Sequence, residues 1–317
     1  MRTEVLYEFI IGESLQIYSN FSPLKVNIAE YFPIYLEDYV DYDNPSAYLF
    51  NAHDCSFKVT KTNNNDRLNS LVMTLFNLDD DVVDYLSTNS GNNLVAILRV
   101  GDNEVGLSKL FQGTVTKVKD DNSNTDRVTT ITVSDGKVNT QNAFSLRTYD
   151  TGTPRKTILA DLIKDTQLPI GTTVEVEGNI LRPKSLQGKT MDLIDKLFVM
   201  DDLDVSIQDG NIEVINKRYR KDEQVAYISM ETGLIGKPSP LVKDASSTKD
   251  NVSANSSGVR FQGFLDTSVR PNATVYLKDG KFDGAYKVTN VVYTGSTRKN
   301  NWMYKAEGIE TQGVISQ

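Results

Sequence analysis

Between Asn69 and Lys119 the hydrophobic positions recur with a period of two over three successive runs. In the first, Leu71, Met73 and Leu75 alternate with Val72, Thr74 and Phe76. In the second, Val95, Ile97 and Arg99 oppose Leu94, Ala96, Leu98 and Val100. In the third, Val115 and Lys117 oppose Thr114, Thr116 and Val118. Alternation with β-branched residues predicts strands. The middle run is apolar on both faces, as a strand covered on both sides must be. Residues 3–11, 56–60 and 127–134 carry the same strand pattern, and Asp135-Gly136 is turn chemistry. With one short helix near Asp80 to Leu86, this part holds about six strands. That number suits a closed or nearly closed barrel, which leaves no strand edge exposed.

The period changes at Tyr149. Thr153 is placed as an N-cap with Pro154 at the first helical position. Ile158, Leu159, Leu162 and Ile163 then share one helical face, and Pro169 and Gly171 end the helix. A strand is expected over residues 172–180, a connection over 181–188, and a second amphipathic helix through Met191, Ile194, Leu197 and Phe198. Residues 203–215 form a hairpin whose Asp209-Gly210 favours a type I′ turn. From Tyr227 strand patterns return over residues 259–265, 273–280, 284–295 and 300–310. The chain thus divides into a first β-barrel domain over 1–148, a small α/β module over 149–218 and a second β-barrel domain over 219–317. The expected fold class is mainly β, of the α+β kind.

Two segments fall outside these patterns. Residues 12–55 are rich in Tyr and Pro and lack a helical period, so they read as an insertion in the first domain. Its rings either lie over a partner's surface or pack on their own domain; Tyr31, Phe32, Tyr35, Tyr39 and Tyr42 are the candidate contacts. Residues 243–258 are poor in hydrophobics and rich in Ser, Asn and Lys, which predicts a flexible loop. Ser246, Lys249, Asn251 and Asn255 are its candidate contacts, and deleting 245–256 is expected to spare the fold and weaken assembly.

Charge narrows the function. The 317 residues carry a formal net charge of −8 with acids spread along the chain. A groove that tracks phosphates needs clustered cations, and the one dense run, Lys217 to Lys221, is followed at once by Asp222 and Glu223. That run reads as a solvated linker. One cysteine, Cys55, excludes an intramolecular disulfide. The N-terminus lacks the apolar core and cleavage site of a signal peptide, and no window reaches 18 apolar residues. No membrane insertion is expected.

Catalytic signatures are sparse. His53, the one histidine, stands in NAHDC without metal-ligand spacing. A Cys-His pair needs convergence from separate segments, whereas strand neighbours point apart. Asp79-Asp80-Asp81 with Asp84 lacks the Gly and terminal Glu of an EF-hand loop and reads as an acidic helix start. No phosphate loop, dinucleotide fingerprint or nucleophile elbow is present. The chain is expected to be a non-enzyme with no cofactor and no metal.

Several phrases and their order resemble the central hub proteins of phage tails, including the late-control gene D type and the baseplate hub of contractile-tailed phages. TLFNL at Thr74 to Leu78, LFQGTV at Leu110 to Val115 and Asp135-Gly136 are similar to that family's first barrel. YDTGTPRKTILADL at Tyr149 to Leu162 resembles the start of its middle module. Glu231 to Pro238, Leu265 to Pro271, Gly284 to Val288 and Trp302 to Gly308 resemble its second barrel. The resemblance implies two tail-tube-like barrels per subunit and a homotrimeric ring of six similar barrels. Such a ring joins a hexameric tail tube protein to a trimeric central spike protein. Further implied partners are the tape-measure protein and baseplate wedge proteins, with genomic DNA only in transit; the net charge of −8 adds the expectation of an acidic lumen that repels its phosphates. The implied location is the virion tail baseplate, assembled in the host cytoplasm. Two alternatives stay open: a carbohydrate-binding receptor module that uses the Tyr31 to Phe50 stretch, and a cell-wall hydrolase.

Overall fold

The computed structural model describes residues 5–13, 47–63, 68–91, 94–102, 106–123, 125–136, 142–173, 176–198, 203–216, 226–241 and 258–310. The chain is mainly β and divides into two compact units. One comprises Met1–Val59, Ser70–Asp135 and Thr294–Trp302; the other comprises Thr60–Asn69, Gly136–Tyr293 and Met303–Gln317.

The first unit is built from β1 (Val5–Glu13), β2 (Ala47–Phe50), the start of β3 (Cys55–Thr62), β4 (Ser70–Phe76), α1 (Asp80–Asn89), β5 (Leu94–Asp102), β6 (Gly106–Asp121) and β7 (Val128–Ser134). Strands pair in the order β3-β4-β7-β6-β5-β1-β2. The expected alternation holds in β4, where Leu71, Met73 and Leu75 are buried. The doubly apolar run is β5, buried at every position from Leu94 to Val100. Even Arg99 is covered there, and its charge is met by Glu8 at 3.0 Å on the paired strand β1. The third run departs from strict alternation. Leu98 pairs with Phe111 and Arg99 with Lys109, so Leu110 is an extra residue. This bulge lets two consecutive apolar side chains, Leu110 and Phe111, both be buried. A second bulge lies between Val115 and Lys117 opposite β7. Trp302 packs with Phe57 at a ring-centroid distance of 5.7 Å. The approach requires Gly295, where a Cβ would lie 2.4 Å from the Phe57 ring and 2.7 Å from Trp302.

The second unit adds β8 (Phe144–Tyr149), α2 (Arg155–Asp165), β9 (Ile170–Thr173), β10 (Lys184–Lys189), α3 (Thr190–Phe198), β11 (Leu203–Gln208) and β12 (Asn211–Asn216). Then follow β13 (Ala226–Ser229), β14 (Ser239–Pro240), β15 (Gly258–Phe264), β16 (Thr274–Lys278), β17 (Gly284–Ser296, its first ten residues) and β18 (Met303–Glu310). The two helices bury Ile158, Leu159, Leu162 and Ile163 from α2 and Leu193, Ile194 and Phe198 from α3 against Val205, Ile207, Ile212 and Val214 of the hairpin. Asp209 and Gly210 have φ of 52° and 84°, the two left-handed positions of the expected type I′ turn.

Three local expectations are corrected. Pro154, not Thr153, is the N-cap of α2. The Thr153 hydroxyl donates to the Asp150 carbonyl, and the orphan N–H of Arg155 finds the Gly178 carbonyl at 2.9 Å. The strand expected over 172–180 is instead β9, which ends at Thr173 and pairs parallel with β12. The expected connection 181–188 contains β10, which pairs antiparallel with β8. Only Leu186 of β10 is buried, so no alternation announces it.

The hairpin is tied to the β strands of its unit by polar groups. Lys61 Nζ lies 2.8 Å from both carboxylate oxygens of Asp209. Asn69 donates to the Ile207 carbonyl at 2.7 Å, and Asn272 donates to Glu213 at 2.9 Å. Lys287 reaches Asp204.

Candidate interaction surfaces

No metal-holding group of three or more His, Cys, Asp or Glu occurs among the described residues. His53 is exposed; its backbone carbonyl accepts from the Tyr7 hydroxyl, and its ring meets Phe50 edge-on at 5.5 Å. Cys55 is buried, and burial pushes its thiol up to about 11, away from the thiolate form. Asp79 to Asp81 open helix α1, as an acidic helix start should. Among the described residues no helix is long and apolar enough to cross a membrane.

What the structure does offer is surface. Around the turn after β13, four large apolar side chains stay exposed: Tyr227, Met230, Phe264 and Tyr276. Tyr227 and Tyr276 are register partners on the parallel pair β13 and β16, and their rings stack at 5.7 Å with planes 6° apart. Thr232 Oγ1 donates to the Tyr227 carbonyl, and Phe264 N donates to the Gly233 carbonyl, which gathers the strand, the turn and Phe264 together. Met230 is 79% exposed at this turn. Clustered exposed side chains of this size mark a candidate interaction surface.

A second feature is a cleft of about 520 Å³ in the α/β part of the same unit. Ile158, Leu197 and Phe198 form its apolar floor, while Arg155, Arg182 and Lys184 stand around it; among the described residues no carboxylate lines it. The Arg155 guanidinium lies over the Phe198 ring at 5.2 Å and donates to the Leu197 carbonyl at 3.1 Å. Arg182 and Lys184 are exposed and have no ion-pair partner among the described residues. Leu181, on the rim, is 89% exposed.

Charge networks elsewhere are internal ties. In the first unit Arg298 lies 3.7 Å over the Phe76 ring and forks to Asp54 at 3.0 Å and Asp126 at 2.7 Å. In the second, Asp165 accepts from Arg147 and from the Ser145 hydroxyl, which together hold its carboxyl below the usual carboxylate range. The Tyr149 hydroxyl is pushed up to about 12 by burial and by the Asp161 carboxylate.

The partner contacts chosen from sequence are Tyr31, Phe32, Tyr35, Tyr39, Tyr42, Ser246, Lys249, Asn251 and Asn255. All of them lie outside the described residues. Sequence reasoning passed over Tyr227 and Tyr276, because alternation marks both as strand residues and only pairing makes them a stack.

No protein-family model matches the sequence, and neither does any curated protein. Solved structures do match. A 43 kDa tail protein of prophage MuSo2 from Shewanella oneidensis aligns over 83% of this chain and 95% of its own, with a TM-score of 0.56 at 7% identity. A tail protein from Neisseria meningitidis aligns over 83% of this chain and 94% of its own, with a TM-score of 0.55 at 10% identity. An E. coli component of the type VI secretion system, described as structurally similar to the T4 tail proteins gp27 and gp5, aligns over 82% of this chain and 74% of its own; its TM-score is 0.57 at 9% identity.

The chain has a phage tail protein fold. At identities this low the likeness lies in backbone geometry and not in shared side chains. The same layout of buried strands is therefore reached with different residues, as core tolerance of apolar substitution allows.

Proposed function

We propose that this chain is a structural hub of a phage-type tail or baseplate. The observation that carries the proposal is the likeness of fold over 83% of this chain and 95% of the Shewanella prophage tail protein. The exposed group at Tyr227, Met230, Phe264 and Tyr276 supports it, since a structural protein needs such surface for its neighbours.

In this reading each chain carries two related barrels, and three chains close into a ring of six. A closed ring uses heterologous contacts, and two barrels per chain convert three-fold into pseudo-six-fold symmetry. The ring joins a hexameric tail tube protein to a trimeric spike protein, with the tape-measure and wedge proteins as further neighbours. The −8 charge suits a channel that DNA crosses without adhering. The protein works without catalysis, in the virion.

Light scattering on the purified chain, followed by electron microscopy with tube and spike proteins of the same particle, tests this. A trimer, or a three-fold ring formed on adding those partners, is expected. A chain that stays monomeric in every mixture overturns the reading.

A further inference from the structure

We infer that the basic cleft of the α/β part receives the acidic face of helix α1 from a second copy of this chain. This rests on the ring reading above and names one of its contacts.

The first argument is local charge. The protein carries eight more acidic than basic residues, yet Arg155, Arg182 and Lys184 gather around one concavity that, among the described residues, no carboxylate lines. Of these, Arg155 is half-buried against Phe198 and the Leu197 carbonyl, whereas Arg182 and Lys184 are exposed. Here Arg182 and Lys184 stand without an ion-pair partner among the described residues.

The second argument is the complement. Helix α1 opens with Asp79, Asp80 and Asp81 and continues to Asp84, all exposed. Asp80 is paired with Arg127. Asp79, Asp81 and Asp84 have no ion-pair partner among the described residues. Asp81 and Asp84 are three apart on a helix, so their carboxylates project from one side. Val83 and Leu86 are buried beneath, which fixes which side of α1 faces outward.

The third argument is shape. A cleft of about 520 Å³ holds a few side chains and not a whole helix, so carboxylates reach in while the helix lies across the mouth. Leu181, 89% exposed at the rim, gives the contact its apolar part. Charge then sets register and encounter rate, and the covered leucine supplies residence. A contact between two different surfaces of one chain is heterologous, the kind that closes a ring when the rotation permits. A nucleic acid is a poorer occupant, because three cations around a pocket with an apolar floor do not track a phosphate backbone.

Sedimentation velocity on the full chain at 50 mM and 500 mM NaCl tests the inference. Self-association of the parent is expected to weaken at the higher salt. R182E/K184E and D81K/D84K are each expected to weaken it about tenfold at low salt. The chain that carries all four reversals is expected to regain most of the loss. Leu181→Ser is expected to weaken association at both salts, and it serves if a reversal variant fails to fold by circular dichroism. If the parent associates and folded reversal variants associate equally well, this inference falls and the ring reading stands. If the parent never associates, alone or with tube and spike proteins, both fall. Loss of association in the four-fold variant as severe as in its parents also overturns the pairing.

Discussion

Lys287, whose side chain is 1% exposed, holds its Nζ 3.0 Å from Asp204 Oδ2 and 2.9 Å from the Asn216 carbonyl. The lysine stands on β17 and its partners on β11 and β12, so one buried ammonium joins the hairpin to the β strands of its unit. Burial of a charge is tolerated only with such partners. Asp204→Ala removes this carboxylate from a buried ammonium and is expected to destabilise the chain by about 3 kcal/mol. The double variant K287M/D204L is expected to lose less than Asp204→Ala alone, because no charge is stranded. Urea unfolding followed by circular dichroism measures both. A larger loss in the double variant would count against the pairing.

Gly210 has φ of 84° in the type I′ turn whose other residue, Asp209, accepts from Lys61. A Cβ at that angle is strained, so Gly210→Ala is expected to reduce stability by about 1–2 kcal/mol. Gly280→Ala, at φ of 81° with no atom within 4 Å of the added Cβ, measures the cost of backbone strain alone. Thermal melts of the two variants give the comparison.

Gly295 sits where any side chain meets Phe57 and Trp302. Gly295→Ala is expected to destabilise by about 1–3 kcal/mol through overpacking. Because Trp302 is the one tryptophan, its emission maximum reports the change directly. An unchanged spectrum and an unchanged Tm would show that the ring pair can shift aside at no cost.

Asp165 is held below the usual carboxylate range by Arg147 and Ser145. A folded pKa lower than the unfolded one gives stability that is complete above the ordinary value of 3.8 and is lost as pH falls through the folded value. Tyr149 works in the opposite direction. Its folded value is raised to about 12 from 10.0, so its contribution is present below pH 10 and is lost between about pH 10 and 12. Asp165→Asn should therefore flatten the acid limb of a Tm-against-pH curve, and Tyr149→Phe should flatten the alkaline limb.

Met230→Ser removes surface apolar area alone and is expected to change stability by about 0.5 kcal/mol or less, whereas Tyr227→Ser also breaks the stack on Tyr276 and is expected to cost about 0.5–1.5 kcal/mol. Both are expected to reduce binding to tube or spike proteins in a pull-down from purified components. Full binding by the double variant would remove this patch from the assembly surface.

Strand periods were legible wherever one face meets the core. Leu71, Met73 and Leu75 alternate because each is buried on the same side of β4. Leu94 to Val100 read as doubly covered, and they are. The hairpin turn was legible because few residue pairs other than Asp-Gly accept two left-handed angles. Strand β10 was not legible: its one buried residue, Leu186, gives no period, and its pairing with β8 lies some forty residues away. The bulge at Leu110 escaped for a related reason, since alternation describes a strand alone and a bulge is a property of two.

The sequence by itself determined a mainly β chain with two helices around an Asp-Gly hairpin, because local periodicity and turn chemistry act over a few residues. Tertiary structure alone decided which cations are buried and which stand free. Lys61 and Lys287 are covered because Asp209 and Asp204 meet them across distant segments. Arg182 and Lys184 stay exposed around a cleft that the described residues leave open. Tyr227 and Tyr276 stack because β13 and β16 pair in register. Coulomb attraction and ring stacking depend on separation in space, and a linear spacing does not encode it.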